Sequence, residues 1–413
     1  MSLDGNLGDL GTTSDAAALD LAVPDSTTPD ATGVDAGACV DSCPFTGGIR
    51  SGCATRFAYG LNYAWYQFGT DFGGLELWGH RGVAAERDAN RANLADMRAH
   101  GANVVRWWVL PDFRGDGVAF DDEERPIGVG PTLEADVAAA LELAAESDVW
   151  LMLCLFSFDA FRPSQDVAGS WTPGLSAIAR DPALRAELME RVVRPVARAA
   201  AASPHRDRLH SWDVINEPEW AMTGPSPFGD EDYDPGEGLD PVTHAEMAAF
   251  VADVTAVLRA ESAALVTVGG AALKWRRAWT GVGVDFYQFH IYDWVDAYWP
   301  YDAPASMWEL DRPIVMGEHP LGGLARASYS TILDAWYANG FAGALAWHHA
   351  ESTEAQLDEV AAFAAAHPCE TDYASARVGA RSWRPTRRIV APANPGRLCR
   401  VHDGRASCLS PGG

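Results

Sequence analysis

The 413-residue chain holds a single lysine, Lys274, so arginine supplies all the rest of its 31 basic side chains. Against 57 acidic residues these leave a net charge of −26. That field repels nucleic acid phosphates and anionic lipid surfaces and leaves a neutral ligand untouched. Long apolar runs are missing too: the longest, residues 149–158, has ten residues where a bilayer crossing needs about 20, so no membrane span is expected. No G-x-G-x-x-G follows the first candidate strand, and G-x-S-x-G and H-E-x-x-H are absent. Those absences remove the dinucleotide-binding fold and the common serine-hydrolase and zinc-protease motifs. Residues 1–38 lack aromatic and basic side chains, and aspartate recurs every fifth residue from Asp15 to Asp35. Such a segment cannot bury enough surface to offset chain entropy and is expected to be a disordered acidic linker.

What is present is the material of a large core, with 48% hydrophobic and 21% charged residues. Seven cysteines occur, and Cys154, inside the longest apolar run, reads as a buried thiol. The other six flank the middle of the chain: Cys39, Cys43, Cys53, Cys369, Cys399 and Cys408. An even set without paired C-x-x-C spacing points to disulfides rather than metal, and so to a secreted or extracytoplasmic protein. The opening Met-Ser-Leu reads as a remnant standing where a signal peptide would be. Cys399 and Cys408 bracket Asp403-Gly404, a favourable hairpin turn, so that pair is the expected bridge; the remaining connectivity stays open.

From residue 57 onward, short apolar runs alternate with helical stretches. The runs are 57–65, 103–110, 149–159, 209–216, 265–269, 286–292, 313–317 and 343–348, eight in all. Most are continuous rather than alternating, as in strands buried on both faces of a parallel sheet. Helices are expected over 84–100, 133–146, 182–202, 328–339 and 353–366, with another opening at Thr243-His-Ala-Glu246, a capping-box pattern. This is the order of an α/β protein, a (β/α)8 TIM barrel spanning residues 39–368. Residues 369–413 change composition, with eight arginines against two aspartates in 371–413. They are expected to form an appendage strapped back onto the acidic barrel by disulfides and salt bridges, not a nucleic-acid-binding tail.

Active groups of such barrels project from the C-terminal ends of strands. The fourth run ends Trp212-Asp-Val-Ile-Asn216-Glu217-Pro218, and the seventh ends Pro313-Ile-Val-Met-Gly317-Glu318-His319-Pro320. A lone glutamate at a strand end is ordinarily a solvated or salt-bridged residue. Two on these strands suit retaining glycoside hydrolysis, in which one carboxylate attacks and the other protonates the leaving oxygen. In these segments the sequence resembles the clan A glycoside hydrolases, nearest to family 5, over roughly residues 57–350. The resemblance implies that Glu217 is the general acid/base and Glu318 the nucleophile. It places Arg106, closing the second run, beside the nucleophile, where a fixed cation keeps a carboxylate ionised. It makes Tyr292 a hydrogen-bond partner of Glu318, His290 a site-lining group, and Trp347 a sugar-stacking ring. Asn216 is suited to a sugar 2-hydroxyl, a contact that strengthens in the transition state. One departure stands out: the third run ends Leu155-Phe-Ser157-Phe-Asp159-Ala-Phe161, without the histidine common in family 5.

Aromatic residues crowd the strand-end connections: Trp65, Tyr66, Phe68, Phe72, Trp78, Trp107, Trp108, Trp171, Trp220, Trp294, Tyr298 and Trp299. Several of these are core residues, and enough fall in loops that a groove of stacking platforms for a sugar chain is expected, with Trp65 and Trp220 among its contacts. The segment Asp230-Glu-Asp232-Tyr-Asp234-Pro-Gly236 resembles a calcium loop, but its glycine is one place late and the twelfth-position glutamate is missing. A solvated acidic loop is the preferred reading. His319, His348 and His349 have poor spacing for a catalytic metal, because strand neighbours point to opposite faces. The expectation is a monomeric, cofactor-independent and metal-independent retaining β-glycosidase, cutting a neutral β-1,4-linked polysaccharide (mannan or glucan) internally. An exo-acting β-glycosidase or a transglycosylase would use the same pair, and a non-catalytic carbohydrate-binding barrel is the reading from another class.

Overall fold

The computed structural model describes residues 41, 43–52, 54–296, 300–376, 399–402 and 405–408. The expected linker over 1–38, most of the arginine-rich appendage, and Tyr298 and Trp299 lie outside them, as do Cys39, Cys53 and the turn Asp403-Gly404.

Eight strands form a closed parallel barrel: β1 (Ala58–Asn62), β2 (Val104–Trp108), β3 (Trp150–Ser157), β4 (Leu209–Asn216), β5 (Leu265–Gly270), β6 (Tyr287–His290), β7 (Ile314–Glu318) and β8 (Gly343–Ala346). Each pairs with its successor and β8 closes on β1, with Ala58 opposite Gly343 and Leu61 opposite Ala346. The strands are buried on both faces, which is why the runs read as continuously apolar rather than alternating. All eight lie where the apolar runs were. The (β/α)8 fold expected from the sequence is the fold observed.

Among the described residues six helices of ten residues or more pack outside: α1 (Arg87–Ala99), α2 (Leu133–Glu146), α3 (Pro182–Leu188 through a π turn, Met189–Val193, into Arg194–Ala202), α4 (His244–Glu261), α5 (Tyr329–Ala338) and α6 (Glu354–Ala366). The π turn in α3 sits just before Pro195, whose missing N–H and bulky ring disrupt the regular helical ladder. The capping box at Thr243 is present: its hydroxyl accepts from Glu246 N–H at 3.3 Å and its own N–H donates to Glu246 Oε2 at 2.7 Å. Among the described residues β5 is followed only by the short turn Leu273–Trp275, and β6 by Asp293–Asp296 and Ala305–Trp308, where the sequence shows no amphipathic period. Among the described residues no helix is long and apolar enough to cross a membrane.

The N-terminal ends of the strands are sealed by the segments before β1 and after α6. Phe57 N–H donates to Glu370 C=O at 2.8 Å, Arg56 pairs with Asp41 at 2.7 Å, and Tyr373 OH donates to Ile49 C=O at 3.1 Å. Cys43 and Cys369 form a disulfide across this floor with Cα atoms 5.7 Å apart. At the far C-terminus, Cys399–His402 pairs antiparallel with Arg405–Cys408, bringing Cys399 into register with Cys408, the pair the sequence suggested. Cys154 is a free buried thiol, as expected.

Candidate active site

At the C-terminal end of the barrel the interior turns polar, and two glycines make the room. A Cβ on Gly317 would lie 2.4 Å from Gln288 Cγ, and one on Gly269 would lie 2.9 Å from both Arg106 Nη2 and Asp213 Oδ2. Into that space β2 projects Arg106, which is fully buried. Its guanidinium is a hub: Nε donates to Asp213 Oδ2 at 2.9 Å, Nη1 to Asn62 Oδ1 at 3.0 Å, and Nη2 to Asn216 Oδ1 at 2.8 Å. Nη1 also donates to Glu318 Oε1 at 2.7 Å. Asp213 Oδ1 in turn accepts from Gly269 N–H at 2.8 Å, and its Oδ2 accepts from Gln288 Nε2 at 2.9 Å. Asn62, Asp213 and Gln288 were not picked out from the sequence. Only Asp213 carried a signal, as a charge inside an otherwise apolar run.

Glu318, the last residue of β7, has both oxygens held, Oε1 by Arg106 and Oε2 by the Tyr292 hydroxyl at 3.0 Å. Burial pushes its carboxyl upward, and His290, Arg106 and the Tyr292 hydroxyl oppose the push. Burial also pushes His290 down to about 4, so above that pH its ring is neutral and lends no charge. Arg106 and Tyr292 are therefore the groups that hold Glu318 as an anion.

Glu217 follows β4 in the left-handed region, at φ 46° and ψ 47°. A non-glycine residue there stores about 1–3 kcal/mol, held by the surrounding structure. Its N–H donates to Gly269 C=O at 2.6 Å; its Oε2 accepts from the Trp220 indole at 3.0 Å, and its Oε1 lies 2.7 Å from His290 Nδ1. Burial pushes Glu217 up to about 7, opposed by the Trp220 indole and the Arg106 charge and reinforced by Asp159. The two glutamates thus sit in contrasting surroundings, one against a buried cation, the other among an indole, an imidazole and a third carboxylate. Oxygens of Glu217 and Glu318 and a nitrogen of His290 all lie within 4.8 Å of one another.

The pair opens into a cleft of about 390 Å³. Trp65, Phe68, Trp108 and Trp347 line it as one cluster, with Trp65 centred 5.3 Å from Trp108 and 5.7 Å from Trp347. Trp220 and Trp294, 5.5 Å apart, line it as a second. Asn216, Tyr292 and Asp159 are also in its wall, Asp159 standing where the sequence lacked a histidine and accepting from Ser157 Oγ at 3.1 Å. Other aromatics fall elsewhere. Phe72 and Trp107 are fully buried in the core with rings 5.2 Å apart, and Trp107 donates to Asp71. Tyr66 lines a neighbouring cavity, and Trp78 and Trp171 line neither.

The acidic loop is exposed as expected at Glu231, Asp232 and Asp234 and differs only at Asp230. The Asp230 side chain is buried and pairs with Arg277 at 2.8 Å, while the exposed Glu231 pairs with Lys274 at 3.1 Å. The strand-end histidines also disperse: His319 packs against Trp336, His348 against Trp347, and His349 hydrogen-bonds Asp96 at 2.8 Å.

A parallel eight-stranded barrel with glutamates ending its fourth and seventh strands is the arrangement of the clan A glycoside hydrolases that the sequence resembles. Comparison with known proteins bears that resemblance out. The chain is 24% identical over 322 residues to a mannan endo-1,4-beta-mannosidase of Mytilus edulis, covering 70% of this chain and 83% of the relative. It is 25% identical over 331 residues to a mannan endo-1,4-beta-mannosidase of Cryptopygus antarcticus, covering 70% and 80%. The X-ray structure of a beta-mannanase from Mytilus edulis superposes with a TM-score of 0.63 at 21% identity, covering 78% of this chain and 94% of that one. No protein-family model matches the chain.

Proposed function

We propose that this protein is a retaining glycoside hydrolase that cleaves β-1,4-linked mannan internally. The observation that carries this reading is the carboxylate pair at the ends of β4 and β7, with oxygens within 4.8 Å, at the floor of an aromatic cleft. Inverting enzymes hold their carboxyl groups about 6.5–9.5 Å apart to admit a water, whereas retaining enzymes hold them about 5–5.5 Å apart. The mannan-cleaving relatives support the choice of polymer, and an open cleft lined by two aromatic clusters suits internal cleavage.

In this reading Glu318, ionised beside Arg106 and oriented by Tyr292, attacks the anomeric carbon. Glu217, protonated through its burial, delivers its proton to the departing glycosidic oxygen. The glycosyl–Glu318 ester is then hydrolysed by a water whose proton passes to the Glu217 carboxylate, restoring both groups. Asn216 has its Oδ1 engaged by Arg106, which leaves its Nδ2 for a sugar hydroxyl, and Trp347, Trp65 and Trp220 offer ring faces to pyranose C–H faces. None of these steps calls for a metal or cofactor. The same reading takes residues 39–368 as the catalytic unit of a secreted monomer, with 1–38 a tether and 369–413 an appendage.

The test is release of reducing ends from mannan, β-glucan, xylan and cellulose derivatives by the wild type and by Glu318→Gln. Release from mannan as mixed oligosaccharides, abolished in the variant, is the expected result. Release of monosaccharide alone would make the enzyme exo-acting. Silence on every polymer, with sugar affinity unchanged in Glu217→Gln and Glu318→Gln, would replace the enzyme with a binding barrel.

A further inference from the structure

One buried carboxylate near the cleft has no part in that mechanism. Glu219 is two residues beyond Glu217 and fully buried. Its Oε2 accepts the Ala271 N–H at 2.9 Å and its Oε1 accepts the Trp279 indole N–H at 2.7 Å. Burying a carboxyl costs several kcal/mol unless partners repay it, so a fully interior one whose two oxygens both take N–H donors has a function or a structural debt to explain.

The partners show where it acts. Ala271 directly follows β5, and the same stretch supplies Gly269 C=O, which accepts the Glu217 N–H at 2.6 Å. The left-handed turn carrying Glu217 is thus pinned to the end of β5 on both sides, by the Glu217 amide and by the Glu219 carboxylate. Between them Trp220 donates to Glu217 itself. No helix follows β5 to brace this end of the strand, only the turn Leu273–Trp275, so the Glu219 bonds to Ala271 and Trp279 take that part.

We propose that Glu219 is a positioning residue for the acid/base: it clamps the turn that aims Glu217, and as a buried negative charge it keeps the proton on Glu217. The inference rests on the glycosidase reading above. Both oxygens of Glu219 face donors, an arrangement made for a carboxylate rather than a carboxylic acid, which would turn an O–H toward an N–H. Glu217 has an imidazole nitrogen at one oxygen and a single indole donor at the other. Burial lifts both groups to about 7, so they titrate in the same range and as a coupled pair. The two charges repel when both are present, and the member whose two oxygens both take N–H donors is the one the geometry holds as the anion. The remaining groups facing the pair are Asp159, His290, Arg106, Glu318 and Tyr292 on the cleft side and Tyr233 behind Glu219. Only Arg106 among them is a cation at neutral pH.

The experiment compares wild type, Glu219→Gln and Trp279→Phe on mannan and on an aryl β-mannoside with a good leaving group, over a range of pH. Loss of the charge at 219 should move the alkaline limb of kcat/KM to lower pH by about half a unit or more. It should also lower turnover of mannan about tenfold more than that of the aryl glycoside, whose departure needs little acid help. Trp279→Phe removes one donor from Glu219 and should shift the limb the same way by less, which keeps the test open if Glu219→Gln does not fold. A uniform loss on both substrates with the limb unmoved would overturn the proposal and leave Glu219 a structural residue. Carbon-13 titration of the Glu217 carboxyl in the same variants reads the shift without activity. An inactive wild type therefore counts against the glycosidase reading, and an unmoved Glu217 titration against this one.

Discussion

Arg106 Nη1 meets Glu318 Oε1 at 2.7 Å, and the same guanidinium is held by Asp213, Asn62 and Asn216. The cation cannot follow the carboxylate if the latter moves, because three other partners fix it. The carboxylate is therefore presented to the cleft from a preorganised base, the condition under which electrostatic stabilisation is most effective.

Arg106→Met should be severe for stability as well as activity. It leaves the carboxylates of Asp213 and Glu318 in the interior without their shared cation, a change that typically costs about 3–5 kcal/mol. Denaturant unfolding would measure it. Arg106→Lys should recover part of that stability but little activity, since an ammonium cannot reproduce four directed bonds. Equal activity in the lysine variant would count against the role given to the guanidinium.

The pH profile follows from the opposed surroundings of the glutamates. Activity requires Glu217 protonated, and burial lifts Glu217 to about 7, so kcat/KM should fall as pH rises through that value. It requires Glu318 ionised, and burial raises Glu318 too, so the acid limb should lie above the ordinary carboxylate range. In Glu217→Gln the alkaline limb should vanish, with mannan turnover lowered by about 10²- to 10⁴-fold. A wild-type profile flat to pH 9 would contradict this assignment.

His210 makes a separate prediction about folding. It is buried beneath the barrel, 3.1 Å from the Tyr373 hydroxyl, and burial lowers it to about 4. Between its ordinary 6.5 and that value the unfolded chain binds the proton and the folded chain does not. Stability from this group is therefore complete above pH 6.5 and declines as pH falls to about 4, by about 3 kcal/mol in all. His210→Phe should lose about 1 kcal/mol at pH 7.5 with its hydrogen bond, yet decline less steeply on acidification. Parallel declines in the two proteins would show that other groups govern the acid response.

Replacing Cys43 and Cys369 by serine opens the covalent tie across the barrel floor. The expected loss is about 2–5 kcal/mol, read as a lower unfolding midpoint. KM should hold, because the site is at the opposite end of the strands. A changed KM at unchanged stability would mean that the floor communicates with the cleft.

The barrel was legible because strands buried on both faces leave an unbroken apolar signature, and because acids at strand ends interrupt it. Glu217, Glu318, Arg106, Tyr292 and Trp347, named from the resemblance, come together at one barrel mouth. Asn62, Gln288 and Asp213 were hidden for a common reason. Each faces inward from a different strand, and only barrel closure brings them to one guanidinium. Phe72 and Trp107 are among the aromatics that belong to the core, and position near a strand end does not tell which those are. The Cys43–Cys369 pairing spans 326 residues, a separation over which no local pattern carries distance information. Asp230 reads as a solvated acid in the sequence because its partner Arg277 is brought to it only by the fold.

That disulfide also bears on how the barrel can be rebuilt. Cys43 and Cys369 have Cα atoms 5.7 Å apart, closer than two residues of extended chain. The polypeptide enters and leaves the barrel at a single seam, on the side away from the cleft. A circular permutant that joins the two ends through a short peptide link and opens elsewhere would preserve the eight-strand ring. A module fused at the seam would likewise stand clear of a polymer threading the mouth.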